Sequence, residues 1–230
     1  MNLFYLPTLN PEAKQIALSE EESKHACRVL RLKSGDLITL LDGTGGTYLA
    51  EIDDAHPKKC NVKILKYEFE SKETKYIHIA IAPTKNMDRI EWFLEKTTEL
   101  GIDEITFLLC KNSERKLIKE ERLEKILVSA MKQSKRSYLP KLNLMTTFKD
   151  FLIQYPTAAL AHCYENDKKT LNDVFQQNNY PILIGPEGDF SIDEIELAKN
   201  VGYDFVTLGK NRLRTETAGL YACMQCLLID

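Results

Sequence analysis

Near the end of the chain, residues 208–220 read LGKNRLRTETAGL, which places Arg212, Arg214, Glu216 and two threonines ahead of an apolar run, 220–229, broken only by Gln225. Cations and a carboxylate so close together can stabilise or move charge, but only if something holds them against a reactant. A second stretch, GPEGDFSIDEIELA at 185–198, brackets Pro186 and Glu187 between Gly185 and Gly188. Ser191 can cap the helix that follows, with Glu194 completing a capping box. In open α/β sheets ligands sit beyond the C-terminal ends of strands, where glycine lets backbone approach the ligand. Gly185 and Gly209 each end a strand-like run, so two glycine-bearing loops can face one cavity. Taken alone, the first loop reads equally as a plain strand-to-helix turn.

Other chemistries find no support. The first strand-like run of this region continues as APTKNMDRIEW, without the glycine-rich fingerprint of a dinucleotide site, and no Walker loop is present. His25, His56, His78 and His162 lack zinc-ligand spacing, and Cys223 and Cys226 read as packing thiols on an apolar helix. The six cysteines are scattered, which favours reduced thiols over a disulfide framework. No apolar run approaches the roughly 18 residues that span a bilayer, and the N-terminus lacks the form of a secretory leader, so the expected location is cytoplasmic. No metal is expected.

The net charge of −3 hides an uneven distribution. Residues 111–141 carry ten Lys/Arg against four Glu, whereas 165–204 carry nine Asp/Glu against three Lys. A further basic cluster, Lys24, Arg28, Arg31 and Lys33, contains no acid. Such clusters suit phosphate binding, or else are ordinary solvated faces.

The elements that must position these residues follow from periodicity. Short β-rich runs with Gly and Pro punctuation between about 37 and 69 predict a small barrel or sandwich. The charged segment 68–75 reads as a linker. Beyond it, 76–82, 104–110, 157–163, 180–185 and 204–209 read as buried strands alternating with helices, one with Ile90, Phe93, Leu94 and Thr97 at helical spacing and Gly101 as C-cap, another basic over 118–136. That alternation predicts an α/β fold with a parallel sheet covered on both faces. The last helix, from about Thr217, is apolar all round and needs cover on every side, from the core or from a second copy.

These segments together resemble the SPOUT-superfamily methyltransferases that modify N3 of a uridine in 16S ribosomal RNA, the RsmE family. HACRVLRLKSGD is similar to its N-terminal motif, KNMDRIEWFLEKTTELGI to its first helix, KQSKRSYLP to its central stretch, and the two glycine loops to its cofactor motifs. The resemblance implies a PUA-like, RNA-binding β-barrel over 1–70 and a SPOUT methyltransferase domain over 75–230. It also implies a deep trefoil knot with the cofactor site near 180–220, a homodimer, and S-adenosylmethionine as cofactor. Two departures stand out: Asp189 where the family commonly has a second glycine, and Lys210-Asn211-Arg212 where it usually has Pro-Arg after the glycine.

Carried over by position, the resemblance makes Leu183, Ile184, Gly185, Pro186, Glu187, Gly188, Leu208, Gly209, Leu213, Thr217 and Ala218 cofactor-binding. Arg214 becomes the group that stabilises the uracil anion, and Glu216 its orienting partner or, alternatively, the proton acceptor. Arg28, Arg31, Lys33, Lys132, Lys135 and Arg136 become the groups that grip RNA phosphates, with 16S rRNA or the small ribosomal subunit as partner. A knotted methyltransferase acting on transfer RNA or another rRNA position, and a non-catalytic RNA-binding assembly factor, remain as alternatives.

Overall fold

A computed structural model describes residues 2–72, 75–165, 167–175 and 180–229. The chain divides into two units, Met1–Lys72 with Met131–Leu139, and Glu73–Ala130 with Pro140–Asp230.

Alternating apolar residues build the first unit. It contains β1 (Asn2–Tyr5), β2 (Gln15–Ala17), α1 (Glu20–Lys24), β3 (Leu37–Leu41), β4 (Gly46–Asp54) and β5 (Asn61–Phe69). They form a five-stranded mixed sheet in the order β1-β3-β4-β5-β2, with β1 parallel to β3 and the other pairs antiparallel. Along β4 the pleat buries Tyr48, Ala50 and Ile52, which pack with Phe4, Ile38, Leu40 and Val62. The hairpin between β3 and β4 is set by Asp42, whose Oδ1 accepts the N–H groups of Thr44 at 2.7 Å and Gly46 at 2.9 Å. Gly45 (φ +106°) is sterically required there, because a Cβ would lie 2.5 Å from the Tyr138 hydroxyl. One π-helical turn, His25–Val29, follows α1 and leads into Arg31, whose backbone is left-handed (φ 55°).

The second unit runs β6 (His78–Ile81), α2 (Met87–Leu100), β7 (Glu104–Leu109), α3 (Glu120–Ser134, its last turn in the first unit), β8 (Lys141–Thr147), α4 (Phe148–Gln154) and β9 (Ala159–Ala161). β10 (Lys169–Thr170), α5 (Leu171–Val174), β11 (Ile182–Ile184), α6 (Ile192–Asn200), β12 (Asp204–Thr207) and α7 (Thr215–Leu228) complete it. Seven strands in the order β10-β12-β9-β11-β6-β7-β8 pair in parallel throughout. The expected α/β fold is therefore present. Ala80, Leu108, Leu160 and Leu183 point from one face into a cluster with Phe148 and Phe151 of α4 and Ala198 of α6. Ile81 points from the other face, where α2 and α7 pack so closely that a Cβ on Gly219 would lie 2.7 Å from the Phe93 ring. α2 ends as its sequence predicts, on Gly101 in the left-handed region (φ 98°).

At the N-terminal end of this sheet lies a polar network centred on the buried Glu104. Burial alone would raise the Glu104 carboxyl, yet hydrogen bonds from Lys141 (2.8 Å), Tyr76 (2.6 Å) and Asn143 (2.5 Å) hold it at about 2. Beside it, burial pulls His78 down to about 4; its Nε2 lies 2.7 Å from Thr106 Oγ1. Among the described residues no helix is long and apolar enough to cross a membrane.

Candidate active site

β11 lies between β6 and β9, and β9 separates it from β12, so the strand order departs from sequence order at these strands. Beyond their C-terminal ends opens a cavity of about 690 Å³, within the range of small-molecule sites. Ala161 and His162 reach it from β9, Ile184 through Glu187 from β11, and Val206 through Leu213 from β12. Arg214, Thr215 and Ala218 close it from the start of α7.

The two glycine loops are joined directly: the buried Thr215 hydroxyl donates to the Gly185 carbonyl at 3.2 Å. A side chain at Gly185 would be tight, since a Cβ would sit 3.0 Å from the Phe190 ring and the ring would have to give way. Ser191 and Glu194 form the expected capping box at α6, and Glu194 also accepts the Lys111 N–H at 2.8 Å. Asp189 has left-handed backbone (φ 63°), a conformation that asparagine and aspartate tolerate better than most side chains. Its carboxylate accepts the N–H groups of Cys163 and Phe190, each at 2.8 Å, tying the β11 loop to the end of β9.

Most residues expected at the cofactor meet here: Ile184, Gly185, Pro186, Glu187, Leu208, Gly209, Leu213 and Ala218 all line the cavity, with Arg214 exposed at its edge as the N-cap of α7. Three do not line it. Leu183 points into the core between sheet and helices, Gly188 packs against Asn112, and Thr217 faces a neighbouring hollow of about 290 Å³ with Asp88, Arg89, Trp92 and Glu216. Glu216 is buried, and its ion-pair distance is to Arg89 (Oε1 to Nε 3.9 Å), not to Arg214 as the orienting role required.

The sequence reading missed His162, Cys163, Lys168 and Arg89 as wall residues. His162 and Cys163 end a strand-like run just as Gly185 does, so the strand-end rule applied a third time would have found them. Arg89 carried no such signal, since it comes from the first turn of α2. Burial, reinforced by Lys168, lowers His162 to about 4 and leaves it neutral near pH 7. Among the described residues there is no cluster able to hold a metal ion.

In the first unit, Arg28, Arg31, Lys33 and Lys135 are exposed. Lys132 differs: its ammonium donates to Glu22 Oε1 at 2.7 Å and lies 5.7 Å from the centre of the Phe4 ring. That cation is partnered within the fold.

Two family profiles match the chain, an RNA methyltransferase domain over residues 71–226 and an RNA methyltransferase PUA domain over 18–65. The ribosomal RNA small subunit methyltransferase E of Rickettsia conorii is 31% identical over 99% of this chain and 96% of its own length. The crystal structure of a probable rRNA-methyltransferase from Porphyromonas gingivalis has 39% identity and a TM-score of 0.89, covering 100% of this chain and 98% of that one. A ribosomal RNA small subunit methyltransferase E from Neisseria gonorrhoeae, bound to S-adenosylmethionine, has 27% identity and a TM-score of 0.85, covering 99% and 97%. Profile, sequence and structure agree over nearly the whole length, and the chain belongs to the ribosomal RNA small subunit methyltransferase E family.

Proposed function

We propose that this protein transfers a methyl group from S-adenosylmethionine to N3 of a uridine in 16S ribosomal RNA, in the cytoplasm. The observation that carries the reading is the cavity at the strand-order switch, closed by two glycine loops that Thr215 joins to one another. Its lining fits the cofactor. Ile184, Val206, Leu208 and Leu213 offer apolar surface for an adenine ring, Lys168 and Arg212 offer charge for a carboxylate, and Glu187 and Asp189 offer charge for a sulfonium. The neighbour from Neisseria gonorrhoeae, bound to the same molecule, supports this assignment.

When bound, the cofactor supplies an electrophilic methyl group on sulfur. The chain's own residues do the rest. Uracil N3 is nucleophilic once deprotonated, and its negative charge spreads onto two carbonyl oxygens. Arg214, exposed at the cavity edge, stabilises that charge, an effect of the order of 10²–10³ in rate. Arg28, Arg31, Lys33, Lys135 and Arg136 in the first unit hold RNA phosphates, the first two flanking exposed Val29 and Leu30. The same reading includes closure of the first unit's sheet into a PUA-like barrel over 1–70, a trefoil knot within 75–230, and a homodimer. α7 supports the last, since Tyr221, Met224 and Leu228 stay exposed on one helix stripe.

Labelled S-adenosylmethionine offered with small-subunit particles or with transfer RNA tests the proposal. Label is expected in 16S RNA, and mass mapping is expected to place it on uridine N3. Label confined to transfer RNA, or none in either, overturns it.

A further inference from the structure

In the first unit, the π-helical turn His25–Val29 and the residues that follow it form a pinned tip. Its base is anchored: Ala26 is fully buried, and Cys27 and Leu32 pack against the core that holds Phe4, Ile38 and Leu40. Backbone hydrogen bonds close the tip, from Leu30 N–H to the His25 carbonyl and from Leu32 N–H to the Ala26 carbonyl, each at 3.0 Å. Asp36 Oδ2 accepts the Lys33 N–H at 2.7 Å. Held from both sides, Val29 and Leu30 cannot fold back onto the sheet, and they stay 68% and 37% exposed. Single exposed aliphatic side chains are ordinary, but here two neighbours stand between two arginines. Arg31 keeps its side chain in left-handed backbone (φ 55°), where glycine would sit more easily. Among the described residues no ion pair engages Arg28, Arg31 or Lys33, whereas Lys24 of the same cluster is paired with Glu20 at 2.6 Å.

The partner of such a tip must offer negative charge on both sides of a narrow apolar gap. Neighbouring bases of a nucleic acid do so: their flat faces are apolar, and a phosphate links one nucleotide to the next. We propose that Val29 and Leu30 form a wedge that enters an RNA strand at an unstacked step, beside a bulge or at a helix–loop junction, while Arg28 and Arg31 bind the flanking phosphates. A continuous duplex is a poor partner, because its stacking must first be broken and its deep groove is too narrow for side chains to read. At a bulge that stacking is already lost, and the aliphatic side chains cover base faces that water would otherwise meet. A membrane surface is the rival partner for an apolar tip set among cations, but only two aliphatic side chains project. Glu20 and Glu21 also stand exposed at the start of α1, where a broad anionic surface would meet them and a single RNA strand need not. The proposal rests on the methyltransferase reading for RNA as the partner, and adds the structural class of RNA and the residues that select it.

The test titrates the full chain with two RNA hairpins of equal length, one with a continuous stem and one whose stem carries a single-nucleotide bulge. Both hold 2-aminopurine at the same stem position, next to the bulge where there is one; this adenine analogue brightens when it is unstacked. The unaltered protein is expected to bind the bulged hairpin about tenfold or more tightly and to raise its emission at saturation. The double variant Val29→Ser with Leu30→Ser, whose melting temperature checks that the fold is kept, is expected to bring the two hairpins within about threefold and to abolish the rise, with the salt slope of binding unaltered. Arg31→Gln is expected to do the reverse, lowering the slope by about 0.7–0.9 and keeping the preference. Equal affinity of the unaltered protein for both hairpins, or an undiminished preference in the double variant, overturns the wedge. Vesicles of phosphatidylcholine and phosphatidylserine are expected not to bind; vesicle binding that the double variant loses while keeping its hairpin preference assigns the tip to a membrane and overturns the proposal. Calorimetry with S-adenosylmethionine separates the levels: absence of donor binding sinks the methyltransferase reading itself, whereas intact donor binding with no hairpin preference sinks this proposal alone.

Discussion

The two ends of the seven-stranded sheet each bury a glutamate, and the two are treated in opposite ways. Glu104, at the N-terminal end, accepts from Lys141, Asn143 and Tyr155 on one oxygen and from Tyr76 on the other. Glu216, beyond the C-terminal end, has Arg89 at 3.9 Å from one oxygen and nothing on the other. Burial is nearly the same, 3% and 7% exposed. A buried carboxylate saturated with donors serves the fold, whereas one with an unsatisfied oxygen carries an unmet desolvation cost. The same contrast sorts the cations. Lys132 is held by Glu22 inside the first unit, whereas Arg28 and Arg31 face solvent.

Breaking the functional end at Arg214 has the largest expected effect. Arg214→Ala should lower the methylation rate by about 10²–10³, roughly 3–4 kcal/mol, with donor affinity by calorimetry nearly unchanged; near-normal turnover would remove Arg214 from the chemistry.

Acid is the next lever. Folded His78 and His162 resist protonation down to about 4, whereas in the unfolded chain they bind protons below about 6.5. Between these values the unfolded state holds more protons, so stability falls as pH falls, by up to about 3 kcal/mol per histidine. Glu104, held at about 2, contributes stability that is present above its ordinary value and is lost as pH drops toward 2. Urea midpoints measured from pH 7 to 3 should decline through both windows. His78→Gln should roughly halve the slope of the upper one, His162 supplying the rest, and an unaltered slope there would exclude His78 as a source.

Exchanging the two glutamates for glutamine sharpens the contrast directly. Glu104→Gln should cost about 2–3 kcal/mol of unfolding free energy, because several donors lose a charged acceptor. Glu216→Gln should change it by less than about 1 kcal/mol, there being no hydrogen-bonded partner to abandon. Equal losses in denaturant titrations would erase the distinction between the two ends.

The smallest effect concerns the exposed cations. Reversing Arg28, Arg31 or Lys33 to glutamate should reduce the slope of log affinity for single-stranded RNA against log salt by about 0.7 for each phosphate that is no longer neutralised. Lys132→Met should leave that slope unaltered and lower stability instead. A salt series that does not respond to any of the reversals would take the phosphates away from this surface.

Much of this arrangement is readable in the amino-acid sequence, for identifiable reasons. ITFLL and PILI are continuous apolar runs, as strands buried on both faces must be, and the Ser191–Glu194 pair and Gly101 mark helix ends by local chemistry alone. β8 has no such mark: KLNLMTT is partly exposed at the sheet edge and mixes polar with apolar residues, and β10 is only two residues long. The left-handed Arg31 after its π-turn, and Arg89 entering the cavity from α2, depend on packing against segments distant in the chain. Spacing therefore finds the glycine loops and the arginine beside them, but the second hollow and the lone Glu216 oxygen become visible only when α2 and α7 are packed.

Asp189 carries one more consequence. A residue with a side chain, in a backbone conformation that glycine adopts more easily, binds its own loop to the neighbouring strand end before any small molecule arrives. The entropy of ordering that loop is thus spent during folding and not at capture. The empty and filled forms of the loop should share one shape, and tight capture should come without the closing motion that a freer loop would need.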